Sequence, residues 1–304
     1  MEKPIVTIQT HDGPFHGDCV FAVVVLLMLI KQASPETQIN IVRSRDLDIQ
    51  ADFRVDVGFM YEPERGLFDH HQELGAGCRD YGNSEPYASF GLVWKEFGGA
   101  ICGSERAAVL VDKHLVRHVD ATDCGLPTGA GYSISSAIAA FNPPWNAEEA
   151  DPSRLDAFMQ ACEFAQTLLE KEIIRAKSMA SAIYRVRKQA SRSRKRGLPD
   201  EIMLMDNFVP WRGVVTNEFP DVQFVVFPNT SNLWVVHAVP LTKGSFKNKK
   251  LLPASWAGLS DSSLDAETQV PGSVFCHRNR HMVVHSSQEG ALMLASLALA
   301  APQE

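Results

Sequence analysis

Twelve consecutive apolar residues, Cys19 to Ile30, constrain this chain more than any other feature of its sequence. The run is shorter than the roughly 18 residues a bilayer span requires, and it reads as a helix buried in a protein interior. Upstream, Ile5 to Gln9 is a short β-branched run, joined to the apolar run by a loop that contains His11, His16 and Asp18. The opening therefore reads strand, loop, buried helix. The segment also lacks the charged, apolar, small-residue order of a signal peptide, so the reading expects no targeting peptide and no membrane partner.

The alternation continues. Ile39 to Arg43 and Phe53 to Val57 are short apolar runs bounded by turn residues, whereas Pro86 to Phe97, Ala107 to His118 and Ser133 to Phe141 have helical spacing. Strands alternating with helices imply an α/β fold whose N-terminal sheet is open and mostly parallel, with crossover helices. From Asp151 to about Ala190 there is no Gly and only one Pro, Pro152, placed where a helix begins. Past Gly197-Leu198-Pro199, the segments Ile202 to Met205, Val222 to Phe227 and Leu233 to Val239 are strand-like, with Asn229 to Asn232 as a hairpin turn. Val274 to Cys276 and Met282 to Val284 predict two more strands, and Glu289 to Ala300 a closing helix. A length of 304 residues fits two domains. The expected division is a catalytic domain over 1–150, a long helical connector over 151–197, and a smaller mixed α/β domain over 198–304.

Charge is divided unevenly between these parts. Residues 1–150 carry 11 Lys plus Arg against 21 Asp plus Glu, and residues 151–304 carry 18 against 15. Such polarity suits cations on one side and phosphates on the other. The six cysteines are scattered, with no Cys-x-x-Cys, which argues against a structural zinc site or a disulfide framework and points to a reducing compartment. An intracellular, cytoplasmic location is expected, with the nucleus or the mitochondrion as alternatives.

Metal-capable side chains recur where strands are predicted to end. His11, His16 and Asp18 follow the first strand; Asp56 ends the third apolar run in Val-Asp-Val-Gly; Asp69-His70-His71 closes the next short segment; Asp120 and Asp123 come after another helix. In open parallel sheets ligands bind at the carboxyl ends of the strands. Imidazole with carboxylate suits a divalent ion such as Mn²⁺, Zn²⁺ or Fe²⁺, and five or six such groups suffice for two ions sharing one carboxylate. Two ions a few ångströms apart can activate water and clamp a phosphoryl group.

In the order Thr-His-Asp-Gly-Pro-Phe-His-Gly-Asp, Val-Asp-Val-Gly, Phe-Asp-His-His-Gln, Val-Asp-Ala-Thr-Asp-Cys-Gly and Asn-Pro-Pro-Trp-Asn, the chain resembles the melanocyte-proliferating-gene family of metal-dependent hydrolases. That family is similar to the Asp-His-His phosphoesterase superfamily. The likeness continues through Pro210-Trp211, Ser245-Phe246, the Pro253 to Leu259 segment, Pro271-Gly272 and Gln288 to Leu292. It implies a two-domain α/β phosphoesterase, usually dependent on manganese, with magnesium or zinc as alternatives, and similar to a 3′-to-5′ RNA exonuclease. By that resemblance His11 and His16 would hold one ion, Asp18 and His70 the other, and Asp56 would bridge them. Asp120 would complete the second site, with Asp123 as its substitute. His71 would face the substrate phosphate or leaving oxygen, and Asp69 would orient the imidazoles.

His16 stands where the wider superfamily has Asp, so its role follows the narrower family. Cys19 and Cys124 replace a usual acidic residue and a usual Asn. Val283 and Val284 stand where some relatives have glycines, so either His277, Arg278 and Arg280 hold phosphate by their side chains or the substrate differs. The run Arg185, Arg187, Lys188, Arg192, Arg194, Lys195, Arg196 reads either as a solvated helix end or as a nucleic-acid contact, with Arg192, Arg194, Lys195 and Arg196 as substrate-binding candidates. Trp145 is a candidate to stack on a base. The expected partner is RNA or a short oligonucleotide. The competing readings are hydrolysis of small phosphoanhydrides or cyclic dinucleotides, and a non-catalytic interaction module on the same fold. Oligomeric state is left open.

Overall fold

The computed structural model describes residues 4–81, 85–127, 129, 131–146, 153–242 and 244–302. Two compact units emerge, Met1–Ala180 and Ser181–Glu304.

In the first unit the β-branched opening is strand β1 (Ile5–Thr10), followed by helix α1 (Gly17–Ala33), β2 (Gln38–Arg43), β3 (Phe53–Val55), and two short strands, β4 (Tyr61–Glu62) and β5 (Leu67–Phe68). The sheet order is β2-β1-β3-β5-β4, and only the β4–β5 pair is antiparallel. The α1 stretch from Gly17 to Leu26 is buried throughout, as its apolar composition requires, and it packs closely against α2 (Ser89–Cys102). Phe21 and Phe90 stack across that contact at 4.9 Å between ring centroids. Each large apolar side chain buried this way contributes about 1.5–3 kcal/mol. After α2 come α3 (Glu105–Val111), one π-helical turn over Asp112–Val116, α4 (Arg117–Asp123) and α5 (Ile134–Ala139). Asp120 and Asp123 therefore lie within a helix, not after one.

Helix α6 (Ser153–Lys195) is the long glycine-free helix; Pro152, where the sequence reading begins it, lies outside the described residues. The boundary between the units, Ala180 to Ser181, falls inside it. The physical reason is burial: Phe158, Ala161, Ala165, Leu169 and Ile173 belong to the first unit's core, while Val186 and Ala190 belong to a core of the second.

The second unit holds a five-stranded sheet, order β6-β7-β8-β10-β9, from β6 (Ile202–Leu204), β7 (Phe224–Pro228), β8 (Trp234–Ala238), β9 (Ser273–Cys276) and β10 (Met282–His285). Apart from β6–β7 the pairs are antiparallel. Helices α7 (Arg212–Glu218), α8 (Asp261–Thr268) and α9 (Gln288–Ala300) complete it. Alternate residues of the sheet feed two cores. Val283 joins one and Val284 the other, so these two valines are packing residues of a central strand.

Candidate metal centre

The parallel run β1, β3, β5 sets three carboxyl ends side by side, and each is followed at once by a metal-capable residue: His11 after Thr10, Asp56 after Val55, and Asp69-His70-His71 after Phe68. Asp56 leaves its strand in the left-handed region, φ 56°, which Asp tolerates better than most residues. Its N–H donates to the Phe68 carbonyl at 3.1 Å, which ties the ends of β3 and β5 together. The fourth contributor is the first turn of α1, which brings His16, Asp18 and Cys19 beneath the same point.

Asp56 is buried, and its two carboxylate oxygens face different imidazoles. Oδ2 lies 3.4 Å from His11 Nε2 and 3.5 Å from His16 Nε2. Oδ1 lies 3.5 Å from His70 Nε2 and 3.4 Å from His71 Nδ1. Two ligands each about 2.1 Å from a tetrahedral ion stand about 3.4 Å apart, so these spacings match donors that share a cation. His16 Nδ1 is 2.9 Å from Asp123 Oδ1, and His70 Nε2 is 3.1 Å from Asp123 Oδ2. Yet His11 Nε2 and Asp56 Oδ2 are buried without a hydrogen-bond partner, while His16 Nδ1 and His70 Nε2 are engaged by Asp123. Buried polar atoms are normally paired, and donors that converge without pairing fit a divalent ion.

The charges agree with that fit. For His70, burial disfavours the cation but Asp123 and Asp56 outweigh it, so its pKa is raised. Burial likewise opposes the cation on His16, and Asp123 more than compensates. On Asp56 and Asp123 burial pushes upward, but the surrounding imidazoles hold both carboxyls below the usual range. Protons on His16 and His70 thus occupy, electrostatically, the place of a metal cation. His11 goes the other way, lowered by burial, and remains the neutral ligand type.

Asp18 is buried, and both of its oxygens accept backbone N–H groups from the first turn of α2, Ser89 at 3.0 Å and Phe90 at 2.7 Å. One oxygen still lies within 4.8 Å of donors on His16 and Asp123. Asp120 is engaged away from these imidazoles. Its carboxylate meets Arg79 Nη2 at 2.7 Å and accepts the Gly91 N–H at 3.0 Å, so it serves a buried ion pair beneath the site. A Cβ at position 91 would overlap that carboxylate, which is why the close approach needs glycine. Asp123, one turn later, is the acid that reaches the cluster. Asp69 holds one of the two imidazoles: its Oδ1 accepts from His71 Nδ1–H at 2.7 Å and from the His71 N–H at 3.1 Å. Cys19 is a group the sequence reading left out of the site. Its Sγ lies within 4.8 Å of donors on His11, His16 and Asp56, although its first contacts are with the His16 backbone. Its place one residue after Asp18 was the available signal.

The second unit carries a cavity of about 940 Å³ whose lining includes Arg212, His237, Lys247, His277, Arg280 and His281, with no Asp or Glu among the described residues. His277 and Arg280 fall where the sequence reading wanted anion-binding side chains, whereas Arg278 is exposed and outside the lining. Arg212, His237, Lys247 and His281 were not anticipated, since four segments contribute them. His237 Nδ1–H donates to the Ala238 carbonyl at 2.8 Å, leaving Nε2 to accept from Arg212 Nη2 at 2.8 Å. Burial, with Arg212 and His281 adding to it, pushes the His237 pKa down to about 4. The basic run at the end of α6 is partly neutralised: Arg192 and Arg196 share Asp206 at 3.2 and 2.9 Å, Arg194 faces Asp200 at 3.7 Å, and Arg187 grips Glu218 at 2.7 Å. Trp145 is 96% exposed.

A profile of the uncharacterised protein family UPF0160, MYG1_exonuc, matches residues 7–299. The chain is 29% identical to the MYG1 exonuclease of Mus musculus, covering 96% of this chain and 84% of that protein. It is 28% identical to the MYG1 protein of Dictyostelium discoideum, covering 95% of each. A solved structure, of an uncharacterized protein from Helicobacter pylori G27, aligns over 92% of the chain at 11% identity with a TM-score of 0.31, a likeness too slight to argue from. With the profile match spanning nearly its whole length, the chain belongs to the MYG1_exonuc family.

Proposed function

We propose that this member of the family is a metal-dependent phosphodiesterase that trims RNA from the 3′ end, with two divalent ions, most readily Mn²⁺, in the cluster at the ends of β1, β3 and β5. The observation that carries the reading is the split of Asp56, one oxygen toward His11 and His16 and the other toward His70 and His71. His11 and His16 would hold the first ion and His70 and Asp18 the second, with Asp56 shared between them, and Asp123 stands between His16 and His70 in the role first given to Asp120. A bound divalent ion supplies Lewis acidity, lowering the pKa of water and drawing charge from a phosphoryl oxygen. His71 is half exposed with Nδ1 anchored on Asp69, which leaves Nε2 to meet substrate and, when the ring is protonated, to give that proton to the leaving oxygen. Asp69 fixes the ring for that task.

The cationic cavity of the second unit provides a second place for phosphate, with Arg212, held by neutral His237, and His277 as its anion contacts. The named exonuclease activity of the mouse relative supports a nucleic-acid substrate. The six cysteines are unpaired, which suits the reducing interior where we place the protein. The test is to strip the protein of metal, restore Mn²⁺, Mg²⁺ or Zn²⁺ separately, and assay end-labelled RNA and DNA, dinucleotides, cyclic dinucleotides and pyrophosphate. Stepwise loss of 3′ nucleotides from RNA, strongest with Mn²⁺, is the expected result. Hydrolysis of pyrophosphate or cyclic dinucleotides alone would replace the exonuclease reading with small-molecule hydrolysis, and no hydrolysis of any substrate would leave an interaction module.

A further inference from the structure

The connection between β3 and β4 holds one residue in a conformation that costs energy without burying its side chain. Phe59 sits at φ 57°, in the left-handed region, where a bulky side chain is an outlier. Gly58 beside it, φ 104°, shows that the turn takes glycine where it can. The Phe59 ring is 67% exposed, so core packing does not compensate the strain. A single exposed apolar residue needs no explanation, but a strained one does, and such strain is retained mainly at functional sites.

What holds the residue there is the same group that holds His71. Asp69 Oδ2 accepts the Phe59 N–H at 2.6 Å, while Oδ1 accepts His71 Nδ1–H at 2.7 Å. One carboxylate thus ties the Phe59 backbone and the His71 imidazole into one frame beside the metal cluster. The two rings meet edge to face, 6.3 Å between centroids and 72° between planes. Phe59 offers a flat face and no hydrogen-bonding group, which is what a nucleobase of any identity can stack on. Trp145 is more exposed, yet no comparable bond joins it to the cluster.

We infer that Phe59 is the stacking platform for the base of the nucleotide whose phosphate enters the metal cluster, a reading that builds on the proposed nuclease activity. It makes the enzyme indifferent to sequence but dependent on the presence of a base.

The test compares binding of adenosine monophosphate with ribose 5-phosphate by calorimetry on Mn²⁺-loaded protein, in wild type, Phe59→Gly, Phe59→Ala and Phe59→Trp. The wild type should prefer the base-bearing ligand about tenfold, Phe59→Gly and Phe59→Ala should bring the two within about twofold, and Phe59→Trp should restore the preference. Phe59→Gly should also melt no lower than wild type, because glycine adopts this backbone without strain. On a dinucleotide the glycine variant should raise KM about tenfold with kcat little changed. A wild type without base preference, or glycine and alanine variants that keep it, overturns the inference. If the wild type cleaves no oligonucleotide, the nuclease reading fails by itself, and the binding ratio still decides the role of Phe59.

Discussion

His70 and His237 are both largely enclosed imidazoles, and their neighbourhoods drive them in opposite directions. Around His70 the near groups are Asp56 and Asp123, and the ring is held as a cation. Around His237 the near groups are Arg212 and His281, and burial with those neighbours keeps the ring neutral, its pKa pushed down to about 4. The first environment collects negative charge at unpaired lone pairs, as a cation site does. The second collects positive charge around a cavity, as an anion site does. Histidine by itself therefore says little about function, and the sign of the groups packed against it says most.

The largest effect should come from removing the group that organises the anionic site. Asp56→Ala should abolish metal-dependent hydrolysis and bring metal content close to zero, since both sets of imidazoles face this carboxylate; metal analysis beside turnover reads it. Asp123→Ala should lower metal affinity as well, whereas folded Asp120→Ala should keep its metal. Near wild-type turnover in purified Asp56→Ala would break the contrast between the two sites at its strongest point.

The next contrast lies inside the cluster. His70→Ala should lose metal, while His71→Ala should retain it and lose about 100- to 10,000-fold in kcat, the range of a positioned acid or base. Equal metal loss in both variants would place His71 among the ligands.

A pH titration sharpens the other side. Because the folded pKa of His237 lies below the unfolded value of 6.5, the unfolded chain binds more protons between about pH 6.5 and pH 4. Stability of the second unit should fall as pH drops through that window, by up to about 3 kcal/mol at its lower end. His237→Gln should flatten that part of the stability curve measured by denaturant unfolding. An unchanged curve would show that His237 titrates normally and that the cavity is less cationic than its lining suggests.

The smallest effect belongs to the basic end of α6. Replacing Arg192, Arg194, Lys195 and Arg196 with Gln should weaken binding of RNA of ten or more nucleotides and reduce its salt slope. The reduction should be less than about 0.7 per residue removed, the value for a full single-strand phosphate contact, because Asp206 and Asp200 already engage three of the four. Dinucleotide hydrolysis should stay nearly unchanged. A salt slope identical to wild type would mark this segment as solvated surface.

Local pattern made a good part of this protein legible from its residues alone. The apolar run Cys19 to Ile30 could only be interior, the β-branched runs could only be strands, and the glycine-free stretch after Asp151 could only be a long helix; the structure has α1, β1 to β3 and α6 in those places. His11, Asp56 and His70 were legible for a related reason, since each follows a strand and parallel strands align their carboxyl ends. What the sequence could not carry was decided by side chains meeting across long separations. Asp120 and Asp123 sit one helical turn apart, and nothing in their spacing says which faces the cluster. Arg79, about forty positions upstream, claims Asp120 and leaves Asp123 to His16 and His70. The limits of the two units were hidden likewise, because α6 is uniform in composition while its buried residues join two different cores. The cationic cavity needed α7, β8 and two loops to converge before its lack of acidic residues meant anything. Periodicity and strand ends are properties of neighbours in the chain, so sequence determines them; charge pairing and burial are properties of neighbours in space, and only the folded structure chooses those.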